Sequence, residues 1–385
     1  MQRSDKVTVS RACFGLCRLV VVVASLTAAV ASHVGQTSGE ALPEATLYFP
    51  PATGAWQQVS ATALGWNTTK LEAAVAFAKR EHSTSLVILH QGRLVAERYW
   101  TIEAGARFAN LLVQTLPDGR TVEDVASIQK SIVAFMTAMA CERGLLDYDQ
   151  PVSVYLGPGW SKATPEQESV ITVRHLLTMS SGLTDSLVYD APAGTQWVYN
   201  TGAYSLLTRM LPKITGTALQ PLTADWLLAP VGMRESYWVD RPWARGMEAA
   251  NTMGFATTAR DLARFGLLVL AEGTWDGHSL LTDKALLHAM LRPSQAMNPN
   301  YGQLWWLNRR PTRSPASGTA RELPVPTAPS DLVYAWGTLG RMLYIVPSQG
   351  LVVVRLGDNP SGHPRSRAFD RELWQLVMAS VKGHL

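Results

Sequence analysis

Two hairpin patterns stand near opposite ends of this chain, and they limit its fold more than any other feature. Near the N-terminal end, Ser85–His90 (SLVILH) and Arg93–Trp100 (RLVAERYW) flank Gln91-Gly92. Near the C-terminal end, Arg341–Val346 (RMLYIV) and Leu351–Leu356 (LVVVRL) flank Pro347-Ser348-Gln349-Gly350. β-rich runs around a Gly-containing turn read as paired antiparallel strands. Each pair has a helical pattern beside it, Lys70–Arg80 at one end and Arg367–Lys382 at the other. Asn67-Thr68-Thr69 precedes the first helix and supplies N-cap residues, though it is also a glycosylation sequon. From about Ser127 to Arg292 the pattern is mostly helical. Ile171–Thr178 runs into Ser180-Ser181-Gly182, Tyr204–Lys213 ends near Gly216, and Thr258-Ala259-Arg260-Asp261 resembles a capping box before Leu262–Leu270. The prediction is an α+β fold: an antiparallel sheet built from both termini, flanked by terminal helices, with a mainly helical region inserted. The domain spans 52–385, with an α/β part at about 52–126 and 293–385 and a helical part at about 127–292. Arg309–Ser330, rich in Pro, Arg and Ser, reads as a long surface loop before a strand.

The first residues do not belong to that pattern. Arg3, Lys6, Arg11 and Arg18 form a basic region with one acid, Asp5, before the apolar run Leu19–Ala31. Ala29-Val30-Ala31 is an A-x-A cleavage pattern, so 1–31 reads as a secretory signal peptide and 32–51 as a linker. An uncleaved membrane anchor is the alternative. The chain carries a net +4, of which 1–31 hold +3; cleavage leaves +1, which removes the case for a nucleic-acid partner. Only Cys141 survives cleavage, so the mature chain has no intrachain disulfide and relies on its core. No Cys/His cluster has metal spacing, and no P-loop, G-x-G-x-x-G or G-x-S-x-G is present.

Chemistry concentrates in three places. Ser127-Ile128-Gln129-Lys130 precedes the apolar run Ser131–Cys141. A Ser three residues before a Lys on one helix shares a face with it, which suits a nucleophile beside a base; a helix-start Ser with a solvated Lys fits the spacing as well. Tyr199 lies in the loop Ala193–Gly202. Near a Lys ammonium its pKa would fall, and it could pass a proton to a leaving group; alone, it also reads as a half-buried loop residue. The third place is Ala335–Arg341 (AWGTLGR), which opens the strand at Arg341. A backbone N–H there, at Thr338, could complete an oxyanion hole with that of Ser127, and a bulge or turn explains the glycines equally. Thirteen Trp is a high count, and several stand in these motifs. Trp197, Trp305, Trp306 and Trp336 are candidate walls of an aromatic pocket, with core filling as the plainer reading.

From residue 65 to the end, the chain resembles the β-lactamase-related, penicillin-recognising serine hydrolases. It is most similar to class C β-lactamase-like (family VIII-type) esterases and 6-aminohexanoate-dimer hydrolases. The carrying stretches are Ser127–Lys130, Gly144–Asp147 through Pro151–Ser153, Ile171–Leu183, Gly194–Tyr199, Pro230–Met233, Thr258–Gly266 and Tyr301–Trp306. The resemblance implies an enzyme, exported by the N-terminal reading above, working through an acyl-enzyme on Ser127, with acid–base work by Lys130 and Tyr199 and an oxyanion hole at Ser127 and Thr338. It implies a small-molecule ester or amide substrate and no cofactor, and leaves open which of Lys130 and Tyr199 is the base in each step. Thr201, Trp336 and Gly337 stand at substrate-binding positions. Two departures matter. The family's Tyr-x-Asn reads Tyr199-Asn200-Thr201, and its Lys-Thr-Gly reads Trp336-Gly337-Thr338. That Lys binds the β-lactam carboxylate in the family, so its absence favours esters or amides without one. A β-lactamase or D-Ala carboxypeptidase, and a catalytically silent binding or sensor protein, are the alternatives.

Overall fold

A computed structural model describes residues 46–101, 110–246, 251–310, 323–360 and 368–381. The segment read as a signal peptide, most of the linker and the middle of the Pro/Arg-rich loop (311–322) lie outside the described residues. The described elements that build the scaffold are, in chain order, α1 (Thr68–Arg80), β1 (Ser83–His90), β2 (Arg93–Tyr99), β3 (Leu112–Thr115), β4 (Thr121–Asp124), α2 (Gln129–Glu142), α3 (Thr201–Thr215), β5 (Tyr237–Asp240), β6 (Met253–Thr257), α4 (Ala259–Leu270), β7 (Trp306–Leu307), β8 (Val333–Gly337), β9 (Arg341–Val346), β10 (Leu351–Gly357) and α5 (Ala368–Ser380).

A six-stranded antiparallel sheet runs β2-β1-β10-β9-β8-β7. The two sequence hairpins therefore meet at its centre, where β1 pairs with β10 and Val87 faces Val354. Helices α1 and α5 cover one face, burying Phe77, Phe369 and Trp374 against Leu86, Ile88, Tyr344 and Val353. Helix α4 covers the other, over Val87, Leu343, Val352 and Val354. Cover on both faces explains why β9 and β10, apart from Arg341 and Arg355, are apolar rather than alternating: every residue of both is buried. Asn67 caps α1, its side chain accepting the Lys70 N–H at 3.0 Å, so capping is the use the structure makes of that tripeptide.

The middle of the chain is mainly helical, as predicted, but not wholly so. It contributes β5 and β6, which join β3 and β4 in a second antiparallel sheet of order β3-β4-β6-β5, and α4 packs on the large sheet as well as on α2, where Phe265 meets Phe135. Trp336-Gly337 was expected to open the strand at Arg341; it instead ends a strand of its own, β8. Helix α2 is buried along nearly its whole length, from Gln129 to Ala140, as an apolar run must be at the centre of a domain. Its first turn lies where the end of β8 meets the small sheet.

Candidate active site

Ser127 sits just ahead of α2, in a single 3-10 turn, Ala126–Ile128. Ala126 holds a left-handed φ of 51°, a conformation that costs a non-glycine residue and persists only where neighbours enforce it. Two of them are visible. The Ala126 N–H donates to Asp124 Oδ1 at 2.9 Å, and the Val125 N–H donates to the Phe255 carbonyl on β6 at 2.9 Å. On the other side Gly337 presses against the turn. A Cβ at Gly337 would lie 2.4 Å from the Val125 carbonyl oxygen, so only glycine lets β8 approach the turn this closely.

Lys130 Nζ lies 3.2 Å from Ser127 Oγ. The side chain is buried and enters the space between two phenol rings, 5.0 Å from the Tyr199 centroid and 4.7 Å from that of Tyr204. Burial, and then the positive charge of Arg241, bring its pKa down from the ordinary 10.5 to about 7, against a smaller upward pull from Asp185. Tyr199 shares a side-chain hydrogen bond with Ser127. The expectation that the Lys would lower its pKa is corrected: burial outweighs that hydrogen bond, Asp185 adds to the rise, and the phenol stands at about 12. At neutral pH this leaves a serine hydroxyl between an amine half in its free-base form and a protonated phenol. Such a trio can take the proton from a nucleophile at one atom and return it to a leaving group at another.

Residues that hold this trio were largely not visible in the sequence. Arg241, just after β5, makes a paired contact with Asp124 at 2.6 and 2.7 Å and reaches Gln129 Oε1 at 3.2 Å. A second buried pair lies under the Thr338 turn. Arg341 Nε donates to Glu123 Oε2 at 3.0 Å, both side chains wholly buried, and Arg341 Nη1 donates to the Thr338 carbonyl at 3.3 Å. Arg355 holds the Leu339 and Gly340 carbonyls at 2.8 and 3.1 Å.

A cleft of about 370 Å3 opens over Ser127, lined by Lys130, Thr201, Arg241, Trp243, Leu111 and Thr338 among others. Of the sequence candidates for substrate contact and the oxyanion hole, Ser127, Thr201 and Thr338 line it. Thr201 takes the cleft position because Asn200 turns inward: its side chain caps α3 through the Ala203 N–H at 2.7 Å and donates to the Leu183 carbonyl at 2.6 Å. Trp305 is a correction. It is fully buried and stacks on Phe265, 6.0 Å between centroids, so it fills the core and touches no substrate. Gly337 is likewise a packing residue. Trp197, Trp306 and Trp336 stand outside the lining of this cleft. Trp306 stacks on Tyr199 at 5.8 Å, with Trp197 and Trp336 edge-on to it at 6.0 and 5.8 Å, and this aromatic layer backs the phenol. Trp243, half exposed on the cleft rim, is the aromatic residue that lines it. Among the described residues no group of three or more His, Cys, Asp or Glu could hold a metal ion.

The two-sheet α+β architecture is that of the β-lactamase and penicillin-binding-protein fold, whose family is one of serine hydrolases. The chain belongs to the Beta-lactamase family, whose model matches residues 68–376. An uncharacterized protein of Alkalihalophilus pseudofirmus is 26% identical over 294 residues, which are 70% of this chain and 82% of that protein. Among solved structures, a protein of Bacteroides dorei assigned as a β-lactamase superposes with a TM-score of 0.62 at 18% identity, covering 82% of this chain and 99% of its own. One of Bacillus anthracis assigned as a 6-aminohexanoate-dimer hydrolase gives 0.61 at 17% identity, covering 86% and 89%.

Proposed function

We propose that this chain hydrolyses ester or amide bonds through an acyl-enzyme on Ser127, with Lys130 as the base and Tyr199 as the acid. The observation that carries the reading is the Lys130 amine, buried, 3.2 Å from the Ser127 hydroxyl and with its pKa at about 7. Neutral Lys130 takes the Ser127 proton as Oγ adds to the substrate carbonyl. The negative oxygen that forms is held by the backbone N–H groups of Ser127 and Thr338. Tyr199, protonated at working pH, gives its proton to the departing alkoxide or amine and is reprotonated from the Lys130 ammonium. Water then attacks the acyl-enzyme; it loses a proton to the same pair, and Ser127 leaves with one. The pKa values divide the labour: a base belongs near the working pH, and a phenol near 12 is an acid there.

The substrate is an uncharged acyl donor. Of the cations lining the cleft, Lys130 does the proton transfer and Arg241 is already paired with Asp124, while Leu111, Trp243 and Leu339 give the walls apolar surface. The relative assigned as a 6-aminohexanoate-dimer hydrolase supports amides as well as esters; the one assigned as a β-lactamase keeps a β-lactamase reading as the alternative. Ser127→Ala should abolish hydrolysis of p-nitrophenyl butyrate while leaving the far-UV spectrum unchanged, and full activity in that variant would end the assignment. A chromogenic cephalosporin run beside the ester decides the alternative, since rapid turnover would favour the β-lactamase. Residues 1–31 are proposed to direct export and to be removed after Ala31. N-terminal sequencing of the protein recovered from outside the cytoplasm checks this, and an intact N-terminus on membranes would favour the anchor. Among the described residues no helix is long and apolar enough to cross a membrane.

A further inference from the structure

The Asp124–Arg241 pair is built with more care than an ordinary tie between two loops. Both side chains are nearly inaccessible, at 3% and 9% exposure, and the guanidinium meets both carboxylate oxygens. Gly254 on β6 makes room for the pair, since a Cβ there would lie 2.3 Å from Asp124 Oδ2 and 2.9 Å from Arg241 Nε. Two of the other three N–H groups of Arg241 go to the Asn251 carbonyl at 3.1 Å and to Gln129 Oε1 at 3.2 Å. Gln129 in turn is fixed by donating to the Met253 carbonyl at 3.2 Å. The same Asp124 carboxylate accepts the N–H of Ala126, the left-handed residue next to Ser127. The pair thus touches the residue before the proposed nucleophile and the residue before the proposed base.

We propose that Asp124 and Arg241 form a positioning device for the Ser127–Lys130 centre: Asp124 fixes the turn that presents Ser127, and Arg241 is a permanent cation beside Lys130 that takes no part in binding substrate. The inference rests on the reading of Ser127 and Lys130 as nucleophile and base. The groups facing Lys130 are Ser127 from the 3-10 turn, Tyr199 and Tyr204 from the entry and first turn of α3, Asp185 from the preceding loop, and Arg241. Burial and Arg241 act against the ammonium; Asp185 acts weakly for it. Burial alone would leave Lys130 able to draw in an anion. A neighbouring cation whose charge is paired with Asp124, with four of its five N–H groups engaged by Asp124, Asn251 and Gln129, acts against the ammonium while its own charge is already answered.

The test is the pH profile of kcat/KM on p-nitrophenyl butyrate for the full chain. Arg241→Gln alone leaves Asp124 buried without its partner and risks failing to fold, so the decisive variant is Asp124→Asn/Arg241→Gln, which carries neither charge and puts a hydrogen-bonding amide in both places. Arg241, not Asp124, is the group that acts on Lys130. The acid limb of the double variant should therefore move alkaline by roughly one pH unit, the ordinary effect of removing a nearby like charge. That shift alone lowers kcat/KM at pH 6.5 by about eightfold. Arg241→Lys keeps the cation and should keep the limb where it is, at a lower plateau. A double variant with reduced activity but an unmoved limb would show that the pair is only structural, as would Arg241→Lys moving the limb as far as the double. Failure of the underlying reading looks different: Ser127→Ala would then stay active, whatever the limb does.

Discussion

The proposed division of labour between Lys130 and Tyr199 predicts the shape of the pH–rate profile. With a pKa of about 7, half of the Lys130 amine is free base at pH 7. An unperturbed lysine at 10.5 would offer only about 0.03%, so the site gains roughly 1,500-fold in available base. Below pH 7 the free-base fraction falls tenfold per unit, to about 1% at pH 5. Tyr199, at about 12, titrates beyond the range in which the protein would be assayed. The expected profile of kcat/KM is therefore a single acid limb of unit slope, centred near pH 7, and a plateau from about pH 8 to 10 rather than a bell. It can be read with p-nitrophenyl butyrate at the isosbestic wavelength of p-nitrophenol, with far-UV spectra confirming the fold at each pH. Activity that stays level down to pH 5 would point to a carboxylate base. That result rules out Lys130 as the base that activates Ser127, whereas a limb centred above pH 9 would mean that Lys130 is not held neutral near pH 7 and would refute the lowered pKa.

Three further outcomes follow. Tyr199→Phe should lower kcat on the ester by about 100-fold or more and leave the acid limb in place, because the base is untouched; a rate near that of the parent would remove the phenol from the proton path. Gly337→Ala should cost about 1–3 kcal/mol of stability in a denaturant titration, the usual penalty of overpacking, and should lower kcat more than it raises KM; a variant with parental stability and rate would mean that β8 can retreat from the Ser127 turn freely. Lys130→Met should be inactive yet more stable than the parent at pH 6. The amine's folded pKa is depressed, so the penalty for burying it is full below pH 7 and fades as pH rises to about 10.5, and the difference in Tm should narrow over that window; a difference that is independent of pH would refute the burial argument.

How much of this was legible in the sequence depended on how local its cause is. The two hairpins read correctly because runs such as LVVVRL need no knowledge of their partners, and their meeting at the centre of one sheet followed from there being two of them. Ser127 and Lys130 are joined by helix geometry and read correctly as neighbours. The second sheet did not, because its strands are four or five residues long and carry polar residues: Glu123 and Asp124 look like surface acids until Arg341 and Arg241, more than a hundred residues away, are brought to them. Trp305 and Trp306 show the limit most plainly. They are adjacent and identical, yet one packs into the core on Phe265 and the other lies on Tyr199, a difference set by which face of the chain each occupies. The pKa of Tyr199 was misjudged in direction because a nearby lysine is visible in a motif and burial is not.

Strand β4 ties these observations together. Its last two residues, Glu123 and Asp124, are consecutive, and consecutive side chains of a strand point to opposite faces. Glu123 therefore reaches Arg341, which holds the carbonyl of Thr338, while Asp124 reaches Arg241 and the N–H of Ala126. One dipeptide thus sets both halves of the proposed oxyanion hole, the turn that carries Ser127 and the turn that carries Thr338. Neither acid could do the other's work, since a register slip of one residue would exchange their faces and break both pairs at once. The short pairing of β4 with β6, Glu123 opposite Thr257 and Asp124 opposite Ala256, is then a constraint on the proposed oxyanion hole as much as on the small sheet.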